Sequence, residues 1–217
     1  MRRVFDVTCA AAGLVLLSPL LALIALAIKL NGGGGSISYL QPRVGKNGRE
    51  FYLMKFRSMV SGADRHGMLT LTDDTRVTPV GRFLRKYKLD ELPQLINVLK
   101  CDMRLVGPRP EMKRYVDMFP SEYQALLQDL PGITDPASLA YRYEEKMLKT
   151  ECPEEYYVSH ILPHKLRLSL EYSQSRTFFS DLKIIFQTLV AAKTGEERGS
   201  SSYSASQPPG NPISNKK

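Results

Sequence analysis

A chain of 217 residues with 30 Lys and Arg against 22 Asp and Glu carries a formal charge of +8 and a pI near 9.4. That length can bury a core of its own, and that charge favours an anionic partner: nucleic acid, acidic lipid or a phosphorylated small molecule. Cys9, Cys101 and Cys152 are odd in number, far apart and in no CxxC or Cys/His spacing, which speaks against a disulfide framework or zinc site and for a reducing compartment.

After Met1-Arg2-Arg3 come 22 uncharged, mostly apolar residues, Val7 to Ile28, before Lys29. As a helix they would extend about 33 Å at about 1.5 Å per residue, enough to cross a bilayer. A secretory signal is one reading, with Ala25-Leu26-Ala27 as its cleavage-like match, but the apolar run is longer than a usual signal core. A spanning helix is the second. The third is a helix that enters the membrane, bends and returns to the same face. Ser18-Pro19 sits near the middle, where proline removes a donor and kinks the helix, and a serine hydroxyl can take up a freed carbonyl. Arg2 and Arg3 precede the run, and Lys29, Arg43 and Lys46 follow it, so a crossing helix would put one basic flank outside. The bent helix, residues 1–30, is the favoured reading.

Gly32 to Gly35 form a joint, and "SISYLQPRVGKNGREFYLMKFRSM" predicts two strands around the turn Gly45-Lys46-Asn47-Gly48. Lys55 and Arg57 alternate with Met54, Phe56 and Ser58, so they share a strand face. Residues 58–76 read as a short helix and a polar loop, and 81–88 and 93–100 as helices. Pro108-Arg109-Pro110 is a stiff break, helices follow around 111–129, and "LPGITDPASL" is irregular. Residues 153–172 and 177–193 are predicted helical. The latter repeats Phe178, Phe179, Leu182, Ile185, Phe186, Leu189 and Val190 at helical intervals, which fits either core packing or a helix lying on a bilayer. The catalytic unit is placed at 31–193, and 194–217, rich in Gly, Ser, Pro and Asn, is read as a disordered tail.

Chemistry concentrates at "KYKLDELPQLINVLK". Adjacent acids occur elsewhere, at Asp73-Asp74, Glu144-Glu145, Glu154-Glu155 and Glu196-Glu197, and a capped helix with salt-bridged flanks would explain Asp90-Glu91 too. The setting argues for more. Pro93 suits the first turn of a helix, so both carboxylates fall where terminal amides favour the ionised form. An ionised aspartate is already a nucleophile, and its neighbour can hold a metal. Between Arg76 and Lys113 there are nine Lys/Arg against four acids, the counter-charge that a carboxylate attacking phosphate requires. Mg²⁺ takes only one or two carboxylates beside phosphate and water. "VGPRPE" fixes Arg109 between two prolines, limiting the entropy lost when it grips phosphate. The three histidines form no nucleophile arrangement, no Walker loop or GxGxxG is present, and no nucleic-acid-binding motif appears.

Taken in order, the Ser18-Pro19 apolar segment, "QPRVGKNGREFYLMKFRSM", "TRVTPVGRFLRKYKLDELPQLINVLKCDMRLVGPRPE" and "LPGITDPASL" resemble the bacterial sugar transferase family, the monotopic phosphoglycosyl transferases. Cys101 and Arg104 depart from it where smaller residues are expected, as does "NGGGGSISYL" before the hairpin. The resemblance implies a mixed, helix-rich α/β fold: a re-entrant membrane helix hairpin carrying a small catalytic domain on the cytoplasmic face of the inner membrane, with a β-hairpin and interfacial amphipathic helices. It implies transfer of a sugar-1-phosphate from a UDP-sugar to a polyprenol phosphate such as undecaprenyl phosphate, with release of UMP. By the same resemblance Asp90 is the nucleophile of a phosphosugar-aspartyl intermediate and Glu91 the Mg²⁺ ligand. Lys55, Arg85 and Arg109 hold phosphate groups, and Pro108-Arg109-Pro110 recognises the uridine side. Membrane lipid, not nucleic acid, is the further partner. A tethered non-catalytic scaffold and a nucleotide-sugar hydrolase on the same fold are the rival readings.

Overall fold

The computed structural model describes residues 2–31, 35–63, 69–71 and 74–194. The described residues form a helix-rich α/β structure with two small sheets, as the sequence predicts in class.

Helix α1 (Arg2–Asn31) is a single element that continues through Pro19. Proline cannot donate to the carbonyl of residue 15, and the Ser18 hydroxyl fills that place by donating to Val15 O at 2.8 Å. The backbone gap opened by proline is thus filled from one residue away, and helical structure is unbroken where a helix-break-helix is predicted.

The buried residues of α1 lie near both of its ends: Asp6 and Ala10 in one half, Ile24 and Ile28 in the other. Ala10 packs with Leu53, Val98 and Met103, while Ile24 and Ile28 pack with Phe56 and Leu84. Val15 and Leu16, between them, are 76% and 80% exposed.

Strands β1 (Ser38–Val44) and β2 (Glu50–Phe56) pair antiparallel as expected, with Lys55 opposite Tyr39. Asn47 and Gly48 turn the chain at φ 57° and 74°. Beyond β2, Met59 bridges to Val77; the rest of the loop predicted at 58–76 includes residues outside the described ones. Thr78 then caps α2 (Pro79–Lys86) by accepting from the Gly81 amide. Lys88, at φ 56°, directs the chain into a tight helical turn, Leu89–Glu91, ahead of α3 (Gln94–Leu99). Asn97 of α3 is buried: its side-chain oxygen accepts from Met54 N at 2.9 Å and its amide donates to Tyr52 O at 2.8 Å. The helix behind the acidic pair is thereby fastened to β2, which carries Lys55.

The stretch around "LPGIT" is not irregular. Strand β3 (Arg104–Val106) pairs in parallel with β4 (Gly132–Thr134). The pairing depends on close backbone approach, since a Cβ on Gly132 would overlap the backbone of Gly107. These two glycines set the position from which Pro108-Arg109-Pro110 departs. Short helices α4 (Lys113–Met118), α5 (Pro120–Leu126), α6 (Pro136–Ala140), α7 (Glu144–Met147) and α8 (Pro153–Tyr156) lead to a π-helical turn and α9 (Leu162–Ser175). They surround a core of Tyr115, Tyr123, Leu148, Tyr157, Ile161 and Leu162.

The family departures noted above acquire physical reasons. Cys101 stands at φ 71°, a backbone conformation that glycine adopts freely. Arg104 bridges Asp6 of α1 at 3.2 Å and Asp129 at 3.0 Å, and Arg176 reaches the same Asp129 at 3.1 Å. Arg176 also donates to Val106 O and pairs with Asp181 of α10 (Phe178–Thr194). One ionic chain thus ties α1, β3 and α10 together. On α10, Asp181 and Ile184 are buried, whereas Phe179, Phe186, Leu189 and Val190 are exposed. The tail predicted beyond it, residues 195–217, lies outside the described residues.

Candidate active site

A cleft of about 920 Å³ opens between the β1–β2 hairpin, α2, the Leu89–Glu91 turn and the segment around α7. Its walls include Lys55, Arg85, Asp90, Glu91 and Arg109, five residues that the sequence singles out. Pro108 and Pro110 are not among its lining residues. They act on the backbone: Pro108 O accepts from Gly132 N at 2.9 Å, and Pro110 O accepts from Arg43 at 3.2 Å.

The two acids sit in opposite electrostatic settings. Glu91 accepts from Arg109 Nη2 at 2.7 Å and meets Lys55 Nζ at 3.5 Å. Burial opposes its ionisation, but Arg109, Lys55 and Lys88 outweigh that and hold the carboxyl well below the usual carboxylate range. Arg109 is in turn held above its ordinary value by Glu91. Burial lowers the Lys55 ammonium, with Glu91 opposing.

Asp90 is buried, and its Oδ1 has no hydrogen-bond partner. Burial, followed by the charge of Glu91, pushes its carboxyl up despite Lys55 and Lys88. The expected preference for the ionised form is met at Glu91, through paired cations, and opposed at Asp90 by burial. The pair occupies its own turn ahead of α3, where desolvation dominates for Asp90 and paired cations dominate for Glu91. The result is one fixed carboxylate beside one carboxylate oxygen awaiting a partner.

Arg85 does not join this pair. Its Nε donates to Ser58 Oγ at 2.9 Å, placing it on another wall of the same cleft.

The residues least visible in the sequence form the support. Glu111 accepts from Arg43 at 2.8 Å and from the Tyr157 hydroxyl at 3.1 Å, and lies 3.8 Å from Lys165. Lys165 also pairs with Glu144 at 2.9 Å. Arg43 and Lys165 overcome burial to keep the Glu111 carboxyl low. The Glu111 carbonyl accepts from Val44 N at 2.9 Å, so the segment carrying Arg109 is fastened to β1 by backbone and by charge. "VGPRPE" and "QPRVG" carry Glu111 and Arg43, but nothing in the local pattern pairs them with Lys165.

A site with two adjacent carboxylates, one lacking a partner, in a cleft where cations outnumber acids suits chemistry on a phosphate ester. The donors also fit Mg²⁺, which needs only one or two carboxylates when phosphate and water complete its shell.

The chain matches the bacterial sugar transferase family over residues 1–195. It is 36% identical over 201 residues to the UDP-N-acetylgalactosamine-undecaprenyl-phosphate N-acetylgalactosaminephosphotransferase of Aeromonas hydrophila, covering 90% of this chain and 44% of that protein. With the undecaprenyl-phosphate glucose phosphotransferase of Komagataeibacter xylinus it shares 38% identity over 197 residues, 87% of this chain and 35% of the relative. It thus spans less than half the length of these two. The exopolysaccharide production protein ExoY of Sinorhizobium fredii is 34% identical over 206 residues, 88% of this chain and 84% of the relative.

Proposed function

Because this chain belongs to the bacterial sugar transferase family, we propose that it transfers a sugar-1-phosphate from a UDP-sugar to a polyprenol phosphate and releases UMP. The observation that carries the reading is the adjacent Asp90-Glu91 pair, the first buried and the second clasped by Arg109 and Lys55, held in unlike electrostatic states. The relatives named for undecaprenyl-phosphate transfer support the acceptor class.

In the proposed reaction, Asp90 attacks the sugar-bearing phosphorus of the donor. The phosphorus–oxygen bond to UMP breaks, UMP leaves with its electron pair, and a phosphosugar-aspartyl bond forms. A phosphate oxygen of the polyprenol acceptor then attacks the same phosphorus and releases the aspartate. Two displacements let UMP leave before the lipid phosphate binds, so two large substrates need not crowd one cleft. Lys55, Arg85 and Arg109 hold phosphate oxygens, and the rigid Pro-Arg-Pro segment faces the uridine side. Glu91 would hold Mg²⁺, which when bound supplies charge neutralisation on the donor phosphates.

We further propose that α1, helical throughout but bent at Ser18-Pro19 as an internal proline favours, re-enters the membrane and that both of its ends stay on the cytoplasmic face of the inner membrane. Both halves of α1 pack on the same domain, through Asp6 and Ala10 and through Ile24 and Ile28, while Val15 and Leu16 between them are exposed. A crossing helix would carry one half away. The apolar face of α10 extends the same surface, since Phe5 of α1 meets Phe178 edge-on with ring centroids 5.2 Å apart. Cysteine labels placed near residues 2 and 35 are expected to react from the cytoplasmic side only. Labelling of the N-terminal position from outside would establish a spanning helix instead.

The activity is tested by offering the purified chain a panel of UDP-sugars with Mg²⁺ and polyprenol phosphate. UMP release that continues only when acceptor is present is the expected result. Steady release without acceptor would make the protein a nucleotide-sugar hydrolase, and binding without any release would make it a scaffold.

A further inference from the structure

The cleft contains a second polar pair that the reaction above does not use. Arg142 is 8% exposed, and its Nε and Nη2 are buried with no hydrogen-bond partner. The next residue, Tyr143, has a buried hydroxyl that also lacks a partner. The guanidinium lies 5.7 Å from the Tyr143 ring centroid, and both side chains line the cleft that contains Asp90, Glu91 and Arg109.

An unpaired buried cation is costly, because the charge has left water and no anion has replaced the lost solvation. The other cations discussed here have partners: Arg109 and Lys55 on Glu91, Arg43 on Glu111, Lys165 on Glu144 and Arg85 on Ser58. Arg142 contributes donor groups without any among the described residues, and Tyr143 contributes a hydroxyl beside it. The loop from Asp135 holds the segment in place: Asp135 caps α6 by accepting from Ser138 N at 2.7 Å, and Tyr141 N donates to Ala137 O at 2.9 Å. Two adjacent, preorganised donors of this kind match a phosphate, whose oxygens accept from guanidinium and phenol alike.

We propose that Arg142 and Tyr143 form a further phosphate-binding subsite of the cleft. The subsite takes a phosphate group of a substrate, either the diphosphate of the nucleotide donor or the monophosphate of the lipid acceptor. This assignment rests on the proposed transferase reading for which phosphate is bound, and on the orphaned donors alone for the binding itself.

The test uses the full chain in detergent and inorganic pyrophosphate as the probe, with binding measured calorimetrically for the native protein, Arg142→Gln and Tyr143→Phe. Arg142→Gln should weaken pyrophosphate binding about tenfold to a hundredfold, the range for hydrogen bonds to a charged group, and Tyr143→Phe by less. Thermal stability should hold or rise in Arg142→Gln, because the substitution removes an unpaired buried charge and no bond within the fold. Arg142→Lys should recover part of the affinity. In the transfer assay, a raised KM for the UDP-sugar would place the donor phosphates on the subsite, and a raised KM for polyprenol phosphate would place the acceptor there. Unchanged pyrophosphate affinity in Arg142→Gln would overturn the inference. If the native protein transfers no sugar phosphate yet Arg142→Gln loses pyrophosphate affinity, the transferase reading falls and the subsite stands.

Discussion

Asparagine in place of Asp90 is expected to cut turnover by at least about 1,000-fold while the protein remains folded. The fold should tolerate the change well. Burial already pushes the Asp90 carboxyl toward its neutral form, and Oδ1 makes no hydrogen bond that an amide would break. Asparagine matches the shape and removes the charge that raises the cost of burial. What it lacks is an oxygen able to attack phosphorus as an anion. Steady-state UMP release with UDP-sugar, acceptor and Mg²⁺ measures the loss, and circular dichroism checks the fold. A variant within about tenfold of the native rate would remove Asp90 as the nucleophile.

Glutamine in place of Glu91 should act differently on three readouts. Glu91 is the anion on which Arg109 and Lys55 converge, so its neutralisation leaves two largely buried cations without their partner. Breaking a buried pair from one side costs about 3 kcal/mol or more, so the unfolding midpoint in denaturant should fall. Turnover should fall about 100-fold, because both the metal ligand and the anchor of Arg109 are lost. The dependence on Mg²⁺ should weaken. Asp90→Asn, in contrast, should hold its stability and lose only chemistry. An unchanged Mg²⁺ titration in Glu91→Gln would assign the metal to other residues.

The sequence conveys the parts of this site that are local. Asp90-Glu91 followed by Pro93 marks the turn ahead of α3, and alternation places Lys55 on the hairpin. Ser18-Pro19 also carries its own explanation, since the hydroxyl takes the carbonyl that proline leaves free. Features that depend on tertiary approach were not legible. Strands β3 and β4 have three residues each, too few for a period to register, and their pairing depends on two glycines 25 positions apart. The Arg43–Glu111–Lys165 support joins β1, the Pro-Arg-Pro segment and α9, and no spacing rule links them. The unlike states of Asp90 and Glu91 come from what each side chain faces, which adjacency alone does not tell. Arg142 in "AYRYEEK" reads as an ordinary basic residue until its burial without a partner is seen.

Of the two readings offered for residues 177–193, packing on the domain accounts for one face of α10. Asp181 and Ile184 pack inward, and Thr188 meets Thr134 of β4 with their hydroxyls 2.8 Å apart, so one face of α10 belongs to the domain. Phe179 and Phe186, on the remaining surface, are 80% and 67% exposed. A helix with a docked polar stripe and an open aromatic face is suited to an interface between protein and lipid, in keeping with the proposed placement of α1.

The covalent step is the centre of the account, and intact-protein mass spectrometry reaches it most directly. The native chain is incubated with Mg²⁺ and its UDP-sugar but no acceptor, then weighed before and after polyprenol phosphate is added. The account predicts a gain equal to one sugar phosphate, mapped to the peptide containing Asp90, lost on adding acceptor and absent from Asp90→Asn. A chain whose mass never changes, including under rapid quench, while transfer proceeds would contradict it and require direct attack of the acceptor on the donor.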